Sequence, residues 1–206
     1  MSSDRWIKPA FFAGFSIPFV YLLWQWGLLF TGQPGSLGAN PIEATNRFLG
    51  DTALRVLLIT LAVTPLRDLT GWIKLTRLRR MIGLFAFFYV SLHLTSYFGM
   101  DLLFSVKALL KDITKRTYIT LGMTAFVLLI PLALTSTNGM IRRLGPKRWN
   151  QLHKLIYLIA ALGVLHHFFM VKGNQPEPWV HLGILVILLG WRLAKWSKPR
   201  FARRAA

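Results

Sequence analysis

Six apolar runs of about 17–22 residues divide this chain, and its charges are confined to the links between them and to the run edges. A run of about 20 residues, at about 1.5 Å rise per residue, matches the roughly 30 Å hydrocarbon core of a bilayer. A soluble core for 206 residues would not need six of them. In lipid no water satisfies backbone groups, so each run must be helical. Spans are expected at residues 10–30, 52–66, 81–98, 118–135, 151–171 and 179–196, with Pro18 inside the first, Arg55 inside the second and Pro131 near the end of the fourth. The expected fold class is an all-α membrane protein of six transmembrane helices, a single domain over 1–206.

The formal charge of +18 would suit a nucleic-acid binder. Its placement argues otherwise, because such proteins gather Lys and Arg on one soluble face. Here 18 of the 25 cations fall in segments on the same side as the N-terminus, among them Arg5, Lys8, Arg67, Lys74, Arg77, Arg79, Arg80, Arg142, Arg143, Lys147, Arg148 and Lys154. The remainder are Arg47, Arg55, Lys107, Lys111, Lys115, Arg116 and Lys172. By the positive-inside rule both termini are expected in the cytoplasm, and the basic tail from Lys195 to Arg204 is expected to anchor at anionic lipid heads. The link from Phe98 to Thr117 strains this topology, since it puts four cations outside. Trp24, Trp26, Trp72, Trp149, Trp179 and Trp196 lie near span ends, as interfacial aromatics do. With no cysteine, disulfides, thiolate metal sites and cysteine nucleophiles are excluded.

The seven acidic residues, Asp4, Glu43, Asp51, Asp68, Asp101, Asp112 and Glu177, all fall in links or at span edges. The spans therefore lack the carboxylates of ion-coupled transporters. What they contain is histidine. His93 and His166 each lie about five residues before the outer end of a span, on spans running in the same direction. Two imidazoles at equal depth on parallel helices suit the two axial positions of a haem iron, and equally two hydrogen-bonded core histidines.

His153 lies thirteen residues before His166, a rise of about 20 Å that two stacked haems would leave. On an ideal helix thirteen steps of 100° put these two about 140° apart, whereas His167 lies about 40° from His153 and is the geometric rival to His166. Thirteen and fourteen residues back from His93 stand Arg80 and Arg79, which cannot ligate iron but can pair with phosphate or propionate. An inner site of His153, Arg79 and Arg80 would suit a weakly ligated haem, a flavin phosphate or nothing. Arg55 is a candidate propionate partner or an interfacial cation, and His181 is expected at the outer interface.

Several stretches carry a resemblance. Arg143-Leu-Gly-Pro-Lys-Arg-Trp149-Asn-Gln-Leu-His153-Lys-Leu-Ile-Tyr157 and Leu165-His166-His167-Phe-Phe-Met-Val-Lys172 resemble the start and end of the fifth helix in the MsrQ (YedZ) family. Thr60-Leu-Ala-Val-Thr-Pro65-Leu-Arg67, Arg79-Arg80-Met-Ile-Gly83-Leu and Leu92-His93-Leu-Thr-Ser-Tyr97 resemble its other signatures, so the likeness covers nearly the whole chain.

That family is the haem-binding membrane subunit of the periplasmic methionine sulfoxide reductase system, related to ferric reductase and NADPH oxidase transmembrane domains. The resemblance implies a bacterial inner-membrane location, haem b and FMN. It implies electrons from the quinone pool or a cytoplasmic flavin reductase, passed to a periplasmic molybdopterin subunit that repairs oxidised methionine. The family's haem histidines fall on His93, His153 and His166. His167 departs from the family pattern, where an aromatic usually follows the helix-five histidine.

About ten residues follow the sixth span, so no nicotinamide domain is expected in this chain and its electrons are expected from another protein or a quinol. The chain is thus expected to be an electron-transfer subunit without a substrate-reducing site of its own. The alternatives are a stand-alone ferric or oxygen reductase, and a small-molecule transporter, which would predict repeated halves and broken helices that are not found.

Overall fold

The computed structural model describes residues 5–171 and 175–202, with side chains through 197. Asp4, Lys172 and the basic tail's Arg203 and Arg204 lie outside the described residues, as do the side chains of Lys198 and Arg200. All regular structure among the described residues is helical: α1 (Ile7–Phe30), α2 (Pro41–Thr70), α3 (Leu75–Ser96), α4 (Val106–Lys115), α5 (Thr117–Leu134), α6 (Asn138–Leu152), α7 (Leu155–Met170) and α8 (Glu177–Ala202). A π-helical turn, Tyr97–Asp101, extends α3.

Five helices are long and apolar enough to cross a membrane by themselves, and α6 with α7 pass together as a pair bent by 45°. The chain is a multi-pass membrane protein with five to six spans, against the six expected. The expected fifth span is the one that differs. Residues 151–171 do not form one helix: α6 ends at Leu152, His153 caps it, and α7 restarts at Leu155. Within α6, Gly145 adopts φ 76°, and Pro146 follows it, so the segment before α7 is broken twice.

The second span is far longer than expected, 30 residues instead of 15. Its start is built locally. The Asn40 side chain accepts the Glu43 amide, Pro41 occupies the first turn, and Glu43 pairs with Arg47 at 2.7 Å one turn on. Its end is Gly71 at φ 69°, a left-handed cap that favours glycine. The charged residues that made 41–51 read as a link are the capping and pairing residues of the helix. The link from Phe98 to Thr117 is likewise not a loop, since it contains α4, capped by Ser105 Oγ accepting the Ala108 amide.

α2 is the central helix. It packs along α3, while α5 packs along α7, and α8 touches both α2 and α7. Leu49, Leu57, Leu61 and Val63 of α2 meet Ile82, Ala86 and Tyr89 of α3 and Ile159, Ala160 and Val164 of α7 in one buried cluster. Ala86 and Ala160 are fully buried and allow close helix approach.

Pro65 sits inside α2 and has no N–H, so the carbonyl of Leu61, four residues earlier, has no helical partner. Arg192 of α8 supplies it, with Nη2 donating to Leu61 O at 2.7 Å. The same guanidinium donates through Nε to the Tyr157 hydroxyl at 3.2 Å, tying α2, α7 and α8 together. Lys195 on α8 and Arg67 on α2 both pair with Asp68 at 2.5 Å.

Candidate functional site: a paired-histidine cavity and an arginine cavity

Two cavities lie between the helices. The larger, about 370 Å³, is walled by α2, α3, α5 and α7 and lined by both His93 and His166. The two rings face each other with centroids 6.2 Å apart and planes at 74°. His167, the rival by ideal-helix phase, also lines this cavity, but its ring pairs with other partners than His93. It lies 5.1 Å edge-on from the His181 ring and 3.7 Å from Asp51. The α6–α7 break explains why the phase argument fails. His153 lies in the bend, so the 100° step does not run from it to His166.

Each imidazole of the pair is held in the same way. His93 Nδ1 lies 3.0 Å from Asn46 O of α2, and His166 Nδ1 lies 2.6 Å from Tyr118 O of α5. A carbonyl can only accept, so each Nδ1 carries the proton and each Nε2 keeps its lone pair. Among the described residues neither Nε2 forms a hydrogen bond. Four residues after each carbonyl, one helical turn along, stands a glycine. A Cβ on Gly50 would lie 3.0 Å from His93 Cε1, and one on Gly122 would lie 2.8 Å from His166 Nδ1. The two rings occupy the space that side chains at these positions would fill.

This arrangement fits a haem. Two metal–imidazole bonds of about 2 Å, with about 1 Å more from each nitrogen to its ring centre, set coaxial rings about 6 Å apart. Among the described residues no group of three or more histidine, cysteine or acidic side chains is disposed to hold a bare ion. A porphyrin brings four nitrogens of its own and asks for two axial ligands only. Leu54, Leu57, Val90, Phe126, Leu129 and Ile159 give the cavity apolar walls. Its polar end is formed by Glu43, Arg47, Asp101 and Arg116, all exposed, with Tyr97 and Tyr118.

Arg55 does not line this cavity. It is exposed on α2, and its charge acts on Asp51 and His181. His181, near the start of α8, is buried at 7% exposure. His167 Nε2 and His181 Nδ1 are buried, without a hydrogen-bond partner among the described residues.

The second cavity, about 220 Å³, is lined by Arg79, Arg80 and His153, the residues grouped on sequence, and also by Trp149, Tyr157 and Arg192. His153 stacks on Trp149 with centroids 3.8 Å apart, and its Nδ1 faces Trp149 O at 3.0 Å. Trp149 donates to Thr135 O at 2.9 Å, so it is a cavity wall rather than an interfacial anchor. Arg80 donates to Asn138 Oδ1 at 2.5 Å. Three guanidiniums around a pocket with no carboxylate in its lining make a site for an anionic group. Arg192 was read from sequence as a basic residue of the inner flank. Its signal was the orphan carbonyl created by Pro65, which is legible only once α8 is known to lie against α2.

The model of the ferric reductase like transmembrane component family matches residues 49–164, from within α2 into α7, a stretch that includes His93 and stops before His166. A protein-methionine-sulfoxide reductase heme-binding subunit MsrQ from Rhodospirillum rubrum is 52% identical over 202 residues, covering 98% of this chain and 94% of its own length. Proteins of the same name from Herminiimonas arsenicoxydans and Caulobacter vibrioides are 51% and 46% identical, over 93% and 92% of this chain and 87% and 86% of their own lengths. The chain belongs to the MsrQ family, within the ferric reductase-like transmembrane proteins.

Proposed function

We propose that this chain holds a b-type haem between His93 and His166 and relays electrons across the bacterial inner membrane to a periplasmic methionine sulfoxide reductase. The observation that carries the reading is the facing pair of imidazoles, 6.2 Å apart, each with Nδ1 fixed by a backbone carbonyl. Bound there, haem supplies reversible one-electron chemistry. The chain's own residues do the rest. Asn46 O and Tyr118 O set the tautomers and raise the basicity of the ligating nitrogens, as partners of metal-bound histidines do. Gly50 and Gly122 leave room for the rings, and the apolar walls keep water from the redox centre.

The arginine cavity is a second cofactor pocket nearer the cytoplasm. His153 is the available iron ligand for a second haem, and Arg79, Arg80 and Arg192 suit the phosphate of FMN. Both termini are cytoplasmic on the count of 18 in 25 cations, which directs the paired-histidine cavity to the periplasm. Electrons enter from a quinol or a cytoplasmic flavin reductase. They leave to a methionine sulfoxide reductase partner, as the names of the relatives suggest, and the family resemblance adds that this partner is periplasmic and carries molybdopterin.

The test is stopped-flow absorbance. Reduced protein mixed with the periplasmic reductase and a methionine sulfoxide substrate should reoxidise its haem, and the His93→Ala variant should lose this transfer. Reoxidation that ignores both the partner and its substrate would remove the proposed function.

A further inference from the structure

A haem carries two carboxylates that an apolar wall cannot accept. The walls of the paired-histidine cavity are mostly apolar, with Asp51 of α2 and His167 of α7 also in its lining. Of the chain's cations, two line this cavity among the described residues, Arg47 and Arg116, both at the polar end. We propose that Arg47 and Arg116 form the carboxylate-binding end of this cavity and take the two propionates of the haem. The inference rests on the haem reading above.

The placement of both arginines follows from the same construction that holds the imidazoles. Arg47 directly follows Asn46, whose carbonyl fixes His93, and Arg116 stands two residues before Tyr118, whose carbonyl fixes His166. Each side of the cavity thus carries a short set of three groups: an arginine, a ring-holding carbonyl, and the glycine four residues after that carbonyl. A group ligated by the two rings would have one guanidinium on each flank.

Both guanidiniums retain capacity. Arg116 meets Asp112 through Nε alone, at 3.4 Å, and its Nη1 reaches the Tyr118 hydroxyl at only 3.5 Å. Asp112 is shared, since it also accepts from the Tyr97 hydroxyl at 2.5 Å. The Tyr118 hydroxyl accepts from Arg116, which leaves its own proton free to donate into the cavity. Arg47 pairs with Glu43 at 2.7 Å, with both side chains more than half exposed, and an exposed i,i+4 pair holds its partners weakly. Glu43, Asp51 and Asp101 are the opposing charges in the cavity lining, so one arginine alone would not make it accept carboxylates. Planar forks suit two-point carboxylate binding in a way that lysine does not. Arg55, for which the sequence left a propionate partner and an interfacial cation equally open, does not line the cavity.

The experiment compares haem with haem dimethyl ester as ligands of the full-length apoprotein in detergent. Wild type should bind haem about tenfold or more tightly than the ester, the scale of one charge-assisted hydrogen bond. The preference should shrink in Arg47→Gln and in Arg116→Gln and vanish in the double variant, while Arg55→Gln keeps it. Arg116→Lys should restore only part. In the haem-loaded double variant the midpoint potential should fall, because a nearby cation favours the electron added on reduction. Equal binding of haem and ester by wild type, or full preference retained by the double variant, would overturn the assignment. A wild type that takes up neither ligand would overturn the haem reading itself, and this assignment with it.

Discussion

Gly122 and His166 share one space: a Cβ on the glycine would lie 2.8 Å from the imidazole Nδ1, the atom that donates to Tyr118 O. The ring can hold its position only because residue 122 has no side chain. Gly122→Ala should therefore displace the ring and break the Tyr118 contact together, with an overpacking penalty of about 1–3 kcal/mol. Gly50→Ala presses on His93 less closely, at 3.0 Å from Cε1, and should do less. Haem per chain and the visible spectrum of each purified variant measure this. Full, unshifted haem in Gly122→Ala would show that His166 does not need this position.

His166 and His167 are neighbours in sequence and face different partners. His167→Phe places at this position the aromatic that the family resemblance implies. It should retain haem, since the ring facing His93 is that of His166, while His167, though in the cavity lining, pairs with His181 and Asp51. Haem loss in His167→Phe with retention in His166→Ala would reverse the ligand assignment.

Much of the membrane architecture was legible because a bilayer imposes one length on every span. The first and fourth spans fell within three residues of their expected bounds, and depth set His93 level with His166 while leaving His167 as a rival. What stayed hidden depends on contacts between distant segments or on local breaks. The α6–α7 bend at His153 defeated ideal-helix phase, so sequence could not choose between His166 and His167. The extension of α2 over 41–51 was masked because its Glu43–Arg47 pair reads as link composition. The cavity lining by Arg47, Arg116 and Arg192 required knowing which helices are neighbours, and Arg55 could be placed by depth on its own span but not relative to the cavity.

Arg192 should matter to stability through the carbonyl that Pro65 leaves open. Arg192→Gln removes a donor to a buried carbonyl and should destabilise the protein by about 1–3 kcal/mol. In a Pro65→Ala background, residue 65 regains an N–H and Leu61 O regains a helical partner. The same Arg192→Gln change should then be less damaging. Thermal unfolding in detergent across the four proteins gives the coupling, and strict additivity would mean that Arg192 acts elsewhere.

The arginine cavity should be separable from the paired-histidine cavity. His153→Ala should lower second-cofactor occupancy and leave the His93–His166 spectrum unchanged. Replacing Arg79 and Arg80 together with Gln should weaken FMN or second-haem binding, or slow reduction by a cytoplasmic donor. Cofactor analysis and reduction kinetics check both. Loss of all haem from a folded His153→Ala protein would contradict a two-cavity arrangement.

The central claim is that His93 and His166 are the two axial ligands of one haem. Visible absorption and low-temperature electron paramagnetic resonance of purified wild type, His93→Ala and His166→Ala measure it directly. Wild type should show a low-spin bis-histidine b-type haem at no less than one per chain, and each single substitution should abolish that signal while the protein stays folded. A colourless wild type, or a low-spin bis-histidine signal that survives both substitutions, would contradict the account.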